Sequence, residues 1–183
     1  PKGGGGLEHK TSTSLLSDSF RFDRAEGYHG LFELVAHEFF HVWNVKHMHD
    51  PVLGPFDYGQ ENYSRMLWFH EGFTSYMEHV LAMRSGAVPW SFVAKNLGTV
   101  WTQQLQRPGW EEQTLEESSF DAWIRQYKPH EFTPNSTVGY YDKGEVVGWL
   151  MDANLRLHSG GARGLEHLFQ HLWKTRGTKG LTD

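Results

Sequence analysis

One segment of this chain combines the periodicity of a helix with two histidines that are one turn apart. Over residues 29–45 the apolar side chains recur at the spacing of an amphipathic helix. They are Leu31, Leu34, Val35, Phe39, Val42 and Val45. His37 and His41 lie within this segment, and residues i and i+4 share one helical face. Both imidazoles can therefore reach one metal ion, and the segment predicts a helix that carries a metal centre.

The residues around these histidines predict a catalytic zinc site. The pattern His-Glu-x-x-His is typical of zinc peptidases, in which the Glu is the general base. Glu38 lies about 100° around the helix from His37, which places it beside water at an open coordination position. Glu71 is the best third ligand, because its apolar neighbours make an unpartnered carboxylate costly to bury. We expect Asn44 or Glu33 to bind the outer nitrogens of the ligating imidazoles.

The sequence leaves other interpretations of these residues open. The histidine pair also fits an amphipathic helix with both rings in the core or at the surface, and Glu71 also fits an exposed helix face. The alternative ligands are His47, His49, His70, His167 and His171. Only one of His70 and Glu71 can face a metal, since adjacent helical residues point about 100° apart. Among its 183 residues the chain has 12 histidines and no cysteine, which excludes disulfides, iron–sulfur clusters and a thiol nucleophile.

The rest of the chain also predicts mainly helices. The predicted helices span 64–84, 89–107, 115–127, 143–158 and 164–175. Ser64 is the candidate N-cap of the first, and Pro89 fits the first turn of the second. Extended or irregular structure is expected over 11–22, and a loop or short strand over 128–141. The sequence therefore predicts a fold that is mostly α with a small β element.

Two stretches resemble a known enzyme family. Residues 37–46 read HEFFHVWNVK and residues 68–76 read WFHEGFTSY. Together they resemble the glycyl aminopeptidase family, a PDZ-containing branch of the gluzincin zinc metallopeptidases that is related to aminopeptidase N. The second His and the Glu are separated by residues 42–70, a gap of 29 residues. This gap is longer than in the aminopeptidase N branch and favours the glycyl branch.

The resemblance implies both an architecture and a set of zinc ligands. It implies a thermolysin-like (gluzincin) catalytic domain that binds one Zn²⁺ ion. His37, His41 and Glu71 would be the ligands, and Glu38 would be the general base. The resemblance covers residues 5 to about 175, which is nearly the whole chain.

Two further motifs carry the same resemblance. The sequence GGLEH, which begins at Gly5, is similar to the exopeptidase motif of the glycyl branch. It implies that Glu8 binds the α-ammonium group of the substrate and that Gly5 and Gly6 lie along the peptide. The sequence YYDKG is similar to a Tyr-x-Lys-Gly motif whose tyrosine stabilises the oxyanion. The Lys-Gly pair places Tyr141 in that role, with Tyr140 as the fallback.

The implied function is that of a zinc-dependent aminopeptidase that acts on peptides with a free N-terminus. The resemblance also implies a preference for small N-terminal residues, glycine or alanine. Two alternatives are kept: a thermolysin-like endopeptidase with the same zinc site, and a non-catalytic binding module that keeps the fold. The net charge of −5 argues against a nucleic-acid partner.

The domain organisation is also an expectation from the resemblance. Residues 1–183 are expected to form a single zinc-peptidase catalytic domain from a longer protein. Family members carry an N-terminal β-rich domain and a C-terminal PDZ-type region, neither of which is found in this sequence. No apolar run reaches the roughly 18 residues needed to span a membrane. The sequence leaves the oligomeric state open, and it leaves the compartment open between cytoplasmic and periplasmic or secreted.

Overall fold

Eight α-helices and a two-stranded sheet account for most of the residues that the computed structural model describes, which are 4–177 and 179–181. The strands are β1 (Gly5–Glu8) and β2 (Thr13–Leu16). The helices are α1 (Ala25–Phe40), α2 (Phe73–Arg84), α3 (Trp90–Gln106), α4 (Gly109–Glu112), α5 (Leu115–Phe120), α6 (Thr133–Ser136), α7 (Tyr140–His158) and α8 (Leu165–Arg176). A π-helical turn (Trp68–Gly72) leads into α2, and 3₁₀ turns span Ser19–Arg21 and Pro51–Leu53. The predicted fold class, mostly α with a small β element, is confirmed.

The two strands form an antiparallel hairpin beside α1. Gly5 pairs with Leu16 and Glu8 pairs with Thr13. The backbone N–H of His9 donates to the carbonyl of Ser12 over 2.8 Å and closes the turn. The hairpin lies against α1 through both strands, so the GGLEH motif is held next to the helix that carries the two histidines.

The hydrophobic core lies among α1, α2, α7 and α8. Its fully buried members include Met48, Phe73 and Leu165. Phe40 from α1 meets Phe169 from α8 edge-on, with ring centroids 4.8 Å apart. None of the helices in the described ranges is long and apolar enough to cross a membrane.

A close glycine contact fixes how α7 crosses the start of α2. Gly72 and Gly144 face each other, and a Cβ at either position would overlap the backbone of the other segment. Gly72 follows Glu71 directly, and Gly144 lies one turn after Tyr141. The absence of both side chains therefore brings the backbones that carry Glu71 and Tyr141 close together.

Two predicted helices have different bounds in the structure. The segment predicted as a helix over 29–45 is helical over Ala25–Phe40. Residues 41–47 form turns instead, and Val45 has φ 146°, which a helix cannot contain. The prediction of a helix from Ser64 is wrong at its start, which lies near Trp68. The hydroxyl of Ser64 accepts from the N–H of Met66 and donates to Asp50, so it stabilises a local turn.

The predictions for the middle of the chain were also partly wrong. The helix predicted over 115–127 ends at Phe120 and continues as turns. The 128–141 segment contains no strand; it forms the short helix α6 and the first residues of α7. α7 begins at Tyr140, three residues before the predicted start, and Gly139 flanks it.

Candidate active site

Three of the predicted metal-binding residues lie together in the structure. His37 and His41 project from the last turns of α1, and Glu71 comes from the π-helical turn. Glu71 Oε2 is 3.2 Å from His37 Nε2 and 3.2 Å from His41 Nε2. One ligand atom from each residue lies within 4.8 Å of the other two. Two imidazole nitrogens and one carboxylate oxygen are the donor set of many catalytic zinc sites.

Asn44 holds the two segments of this cluster together. Its side-chain amide donates to the carbonyls of Phe69 and His70, over 3.1 and 3.2 Å, and to Thr74 Oγ1 over 3.0 Å. Carbonyls in a π-helical turn lack the usual partners of an α-helix, and such turns are frequent at functional sites. Asn44 is fully buried and supplies donors at this point, so it fixes the segment of Glu71 against the end of α1.

The outer nitrogen of each imidazole has its own partner. His37 Nδ1 is 2.5 Å from Glu78 Oε2, and His41 Nδ1 donates to the backbone carbonyl of Asn44 over 2.8 Å. Both Nε2 atoms therefore face Glu71, and the outer partners fix the orientation of each ring as they do in metal-ligating histidines. Of the two expected partners, Asn44 is used through its backbone. Glu33 binds His79 instead, over 2.6 Å.

Glu78 is a site residue that the sequence reasoning missed. It follows Glu71 by seven residues, which is two helical turns, so both side chains point toward α1. An acidic residue seven positions after the candidate third ligand was the available signal.

The charges in this cluster are strongly coupled. Burial opposes the charged form of Glu71, but hydrogen bonds from His37 and His41 hold the pKa of its carboxyl well below the usual range. Burial also opposes the charged form of His37, and Glu71 and Glu78 together raise its pKa to about 10. The cluster therefore contains a carboxylate that stays ionised and carries negative charge toward both Nε2 atoms.

Glu38 is buried beside this cluster and one of its oxygens has no partner. The side chain is 5% exposed, and its Oε2 atom accepts no hydrogen bond from any described residue. Burial raises the pKa of Glu38, and the neighbouring His37 and His41 oppose that shift. Gly6 packs directly on the carboxylate, where a Cβ would overlap it. A buried oxygen without a partner fits a group that binds and deprotonates water.

The structure distinguishes between the two adjacent tyrosines. The ring of Tyr141 stacks on His37 with centroids 6.4 Å apart. Tyr140 is buried, and its hydroxyl lies 2.8 Å from that of Tyr127. Burial raises the pKa of Tyr141 well above its usual value, so its hydroxyl stays protonated and can donate. Tyr141 therefore faces the cluster, whereas Tyr140 bonds to Tyr127 and packs its ring on that of Tyr141, with centroids 4.7 Å apart.

A cavity of about 490 Å³ opens beside these groups. It is lined by Gly5 and Gly6 from β1, by His37 and Glu38 from α1, and by Tyr141 from α7, among others. The carboxylate of Glu8 lies at the same centre, with ligand atoms of Glu8, Glu38 and His41 within 4.8 Å of one another. The structure thus places all eight predicted site residues around one centre.

The alternative ligands point elsewhere. His70 Nδ1 donates to the side-chain oxygen of Asn44 over 3.0 Å, and burial lowers the pKa of His70 to about 4. His47 and His49 bond to backbone carbonyls through Nδ1, and His167 Nδ1 accepts from the N–H of Gly164. Among residues 4–177 and 179–181, neither these histidines nor His171 join a group of three metal-ligating side chains.

Two comparisons with known proteins find similarity to aminopeptidase families. The family model for M61 glycyl aminopeptidases matches residues 30–147. The chain is also similar to the crystal structure of an aminopeptidase N family protein from Idiomarina loihiensis, with a TM-score of 0.89 and 35% sequence identity. The match covers 96% of this chain and 31% of that one, so the chain spans about a third of its length. The comparison with curated proteins finds no match.

Proposed function

Since the chain belongs to the M61 glycyl aminopeptidase family, we propose that it is the catalytic part of a zinc-dependent aminopeptidase with a thermolysin-like fold. One observation carries this proposal. Two imidazoles and a carboxylate converge within 4.8 Å, and a buried carboxylate with an unpartnered oxygen lies beside them. A buried oxygen without a partner lowers the stability of the fold by about 1–3 kcal/mol. A cluster with a purely structural role would not retain it.

In this proposal the zinc ligands are His37 Nε2, His41 Nε2 and Glu71. The fit rests on the donor set and on the outer nitrogens, which Glu78 and the Asn44 carbonyl already occupy. When bound, zinc supplies Lewis acidity and lowers the pKa of water to about 7. The protein contributes rigid ligand placement and a negative charge that favours a cation at this point.

Glu38 is the proposed general base and acid. Its unpartnered Oε2 accepts a proton from the attacking water, and the carboxyl then delivers that proton to the leaving amine. Burial raises its pKa toward the range in which both transfers are efficient near neutral pH. Gly6 packs on one side of the carboxylate and leaves no room for a side chain there.

Tyr141 is the proposed donor to the oxyanion, and Tyr140 offers a matched control. We expect Tyr141→Phe to lower kcat by about 100-fold, because it removes a single donor to the developing charge. Tyr140→Phe removes the hydroxyl that bonds to Tyr127, and we expect kcat to change by less than about threefold. Steady-state kinetics on an alanyl anilide measures both variants. Equal losses in the two would contradict the assignment.

The substrate is proposed to lie along β1 with its amino group at Glu8. Gly5 and Gly6 leave room for close approach of a peptide, and Glu8 supplies a carboxylate at the same centre. The enzyme would then require a free N-terminus, and we propose that it prefers glycine or alanine there. The choice of small residues rests on the family, which is described as glycyl aminopeptidases.

The test compares alanyl anilide with its N-acetylated form. We expect at least about 100-fold higher kcat/KM for the free amine, because it alone forms a charge-assisted bond with Glu8. Glu8→Gln should remove most of that difference while cleavage of the blocked substrate stays unchanged. Equal cleavage of both substrates by the unmodified protein would instead identify an endopeptidase. Full activity in the presence of a strong chelator would refute the proposed zinc dependence.

A further inference from the structure

Glu8 has a partner within the chain that its proposed role does not explain. The Nζ atom of Lys46 lies 2.9 Å from Glu8 Oε1. Only 22% of the Lys46 side chain and 19% of the Glu8 side chain are exposed. Salt screens such a partly buried pair much less than a surface pair. A lysine thus sits directly on the carboxylate that is proposed to bind the substrate's amino group.

The ion pair of Lys46 with Glu8 reduces the repulsion between two neighbouring carboxylates. The carboxylates of Glu8 and Glu38 have ligand atoms within 4.8 Å of one another. Two carboxylates at this distance repel each other. The ammonium of Lys46 offsets this repulsion and holds the Glu8 carboxylate in place when no substrate is bound.

The backbone next to Lys46 is built to direct this side chain. Val45 has φ 146°, a conformation that β-branched residues avoid. Such strain persists where the surrounding structure over-determines it, and it is commonest at functional sites. Val45 lies between Asn44 and Lys46. The carbonyl of Asn44 accepts a hydrogen bond from the His41 ring, and the N–H of Lys46 donates to the His41 carbonyl over 2.9 Å. The turn therefore fixes two groups that face the site.

We propose that Lys46 is a positioning residue for recognition of the substrate's amino group. It holds Oε1 of Glu8 and leaves Oε2 for the α-ammonium, since a carboxylate can accept about four hydrogen bonds. The inference rests on the proposed function, because it requires that Glu8 binds a free N-terminus. It adds a residue that binds neither the substrate nor the metal and acts through Glu8 alone.

The test compares Lys46→Met with Lys46→Arg and with the control Lys95→Met. Lys95 is an exposed lysine on α3, so its variant reports the loss of one positive charge away from the site. For alanyl anilide we expect Lys46→Met to raise KM about tenfold, which corresponds to one charge-assisted hydrogen bond. We expect kcat to stay within about twofold, because the reacting groups are untouched. Lys46→Arg should restore most of KM, and Lys95→Met should change neither parameter.

Calorimetric binding of alanine amide gives a readout that does not depend on turnover. We expect Lys46→Met to weaken this binding about tenfold, while the binding of N-acetylalanine amide stays the same. A lower KM in Lys46→Met would mean that Lys46 competes with the substrate, and this would overturn the inference. An unchanged KM would also overturn it. Weaker binding of both alanine amide and N-acetylalanine amide would mean that Lys46 has a structural role, which overturns it as well.

The outcomes also separate this inference from the proposed function. If the unmodified protein binds alanine amide but does not cleave the anilide, the proposed function is wrong. In that case the calorimetric affinities of the unmodified protein and Lys46→Met for alanine amide still decide the inference. An unmodified protein that does not bind alanine amide overturns the inference itself. Urea unfolding of all three variants shows whether a loss of affinity follows a loss of stability.

Discussion

Replacing Glu38 by Gln is expected to lower kcat/KM about 10⁴-fold, at the upper end of the range for general acid–base catalysis. Gln has nearly the same shape as Glu but cannot accept a proton at neutral pH. The free energy of unfolding should not fall, because no described residue donates to Glu38 Oε2. The variant also removes a carboxylate whose pKa is raised by burial, and so removes a cost of folding.

The measurement combines steady-state kinetics with a zinc assay. The Glu38→Gln variant should bind zinc as tightly as the unmodified protein, since Glu38 is a base in this account and not a ligand. Glu131→Gln is the matched control, because Glu131 is exposed and far from the cluster in sequence. A Glu38→Gln variant with more than about a tenth of the original kcat/KM would contradict its role as general base.

Replacing Glu71 by Gln is expected to abolish activity through loss of the metal. Gln offers a weaker, neutral oxygen to the cation, and it no longer supplies the charge that both Nε2 atoms face. We expect zinc affinity to fall by more than about 100-fold, beyond the range found when an outer partner of a ligand is changed.

The comparison with Glu78→Gln tests the assignment of roles. Glu78 contacts His37 Nδ1 and not the centre of the cluster, so zinc affinity should fall by only about 10–100-fold. Competition against a chromogenic chelator measures all three proteins. The expected order of affinity is unmodified protein, then Glu78→Gln, then Glu71→Gln. If Glu71→Gln bound zinc more tightly than Glu78→Gln, Glu71 would not be the ligand, and the assignment of Glu71 as ligand and Glu78 as outer partner would be contradicted.

The local part of the site could be predicted from the sequence. The relation between His37 and His41 depends only on the repeat of one helix, and α1 forms where its apolar spacing indicates. The position of Glu38 follows from the same helix. Local periodicity therefore accounts for two ligands and the base, whereas the contact between Glu78 and His37 depends on the packing of α2 on α1.

The long-range part could not be predicted from spacing. The approach of Glu71 to α1 depends on a π-helical turn and on the buried side chain of Asn44, and neither leaves a periodic signal. The crossing at Gly72 and Gly144 likewise depends on two residues that are distant in sequence. The apolar neighbours of Glu71 and the family resemblance both indicated Glu71 as a ligand, but neither predicted the bridge through Asn44 or the contact between the two glycines.

The errors in secondary structure have the same origin. Ser64 is a good N-cap residue, but here it stabilises a turn with Asp50 and the helix starts later. The partner of Glu33 is likewise set by tertiary packing. Glu33 lies within helical reach of His37, yet it binds His79 on α2. Propensity and periodicity describe one segment at a time, so they cannot rank a local partner against one brought in by the fold.

The central claim is that His37, His41 and Glu71 hold one zinc ion. Anomalous diffraction at the zinc absorption edge, from crystals of protein supplied with zinc, tests it most directly. The account predicts one peak at about 2.0–2.2 Å from both Nε2 atoms and from the Glu71 carboxylate. A peak at the group formed by Glu33, Glu78 and His79, or no peak at the predicted position, would contradict it.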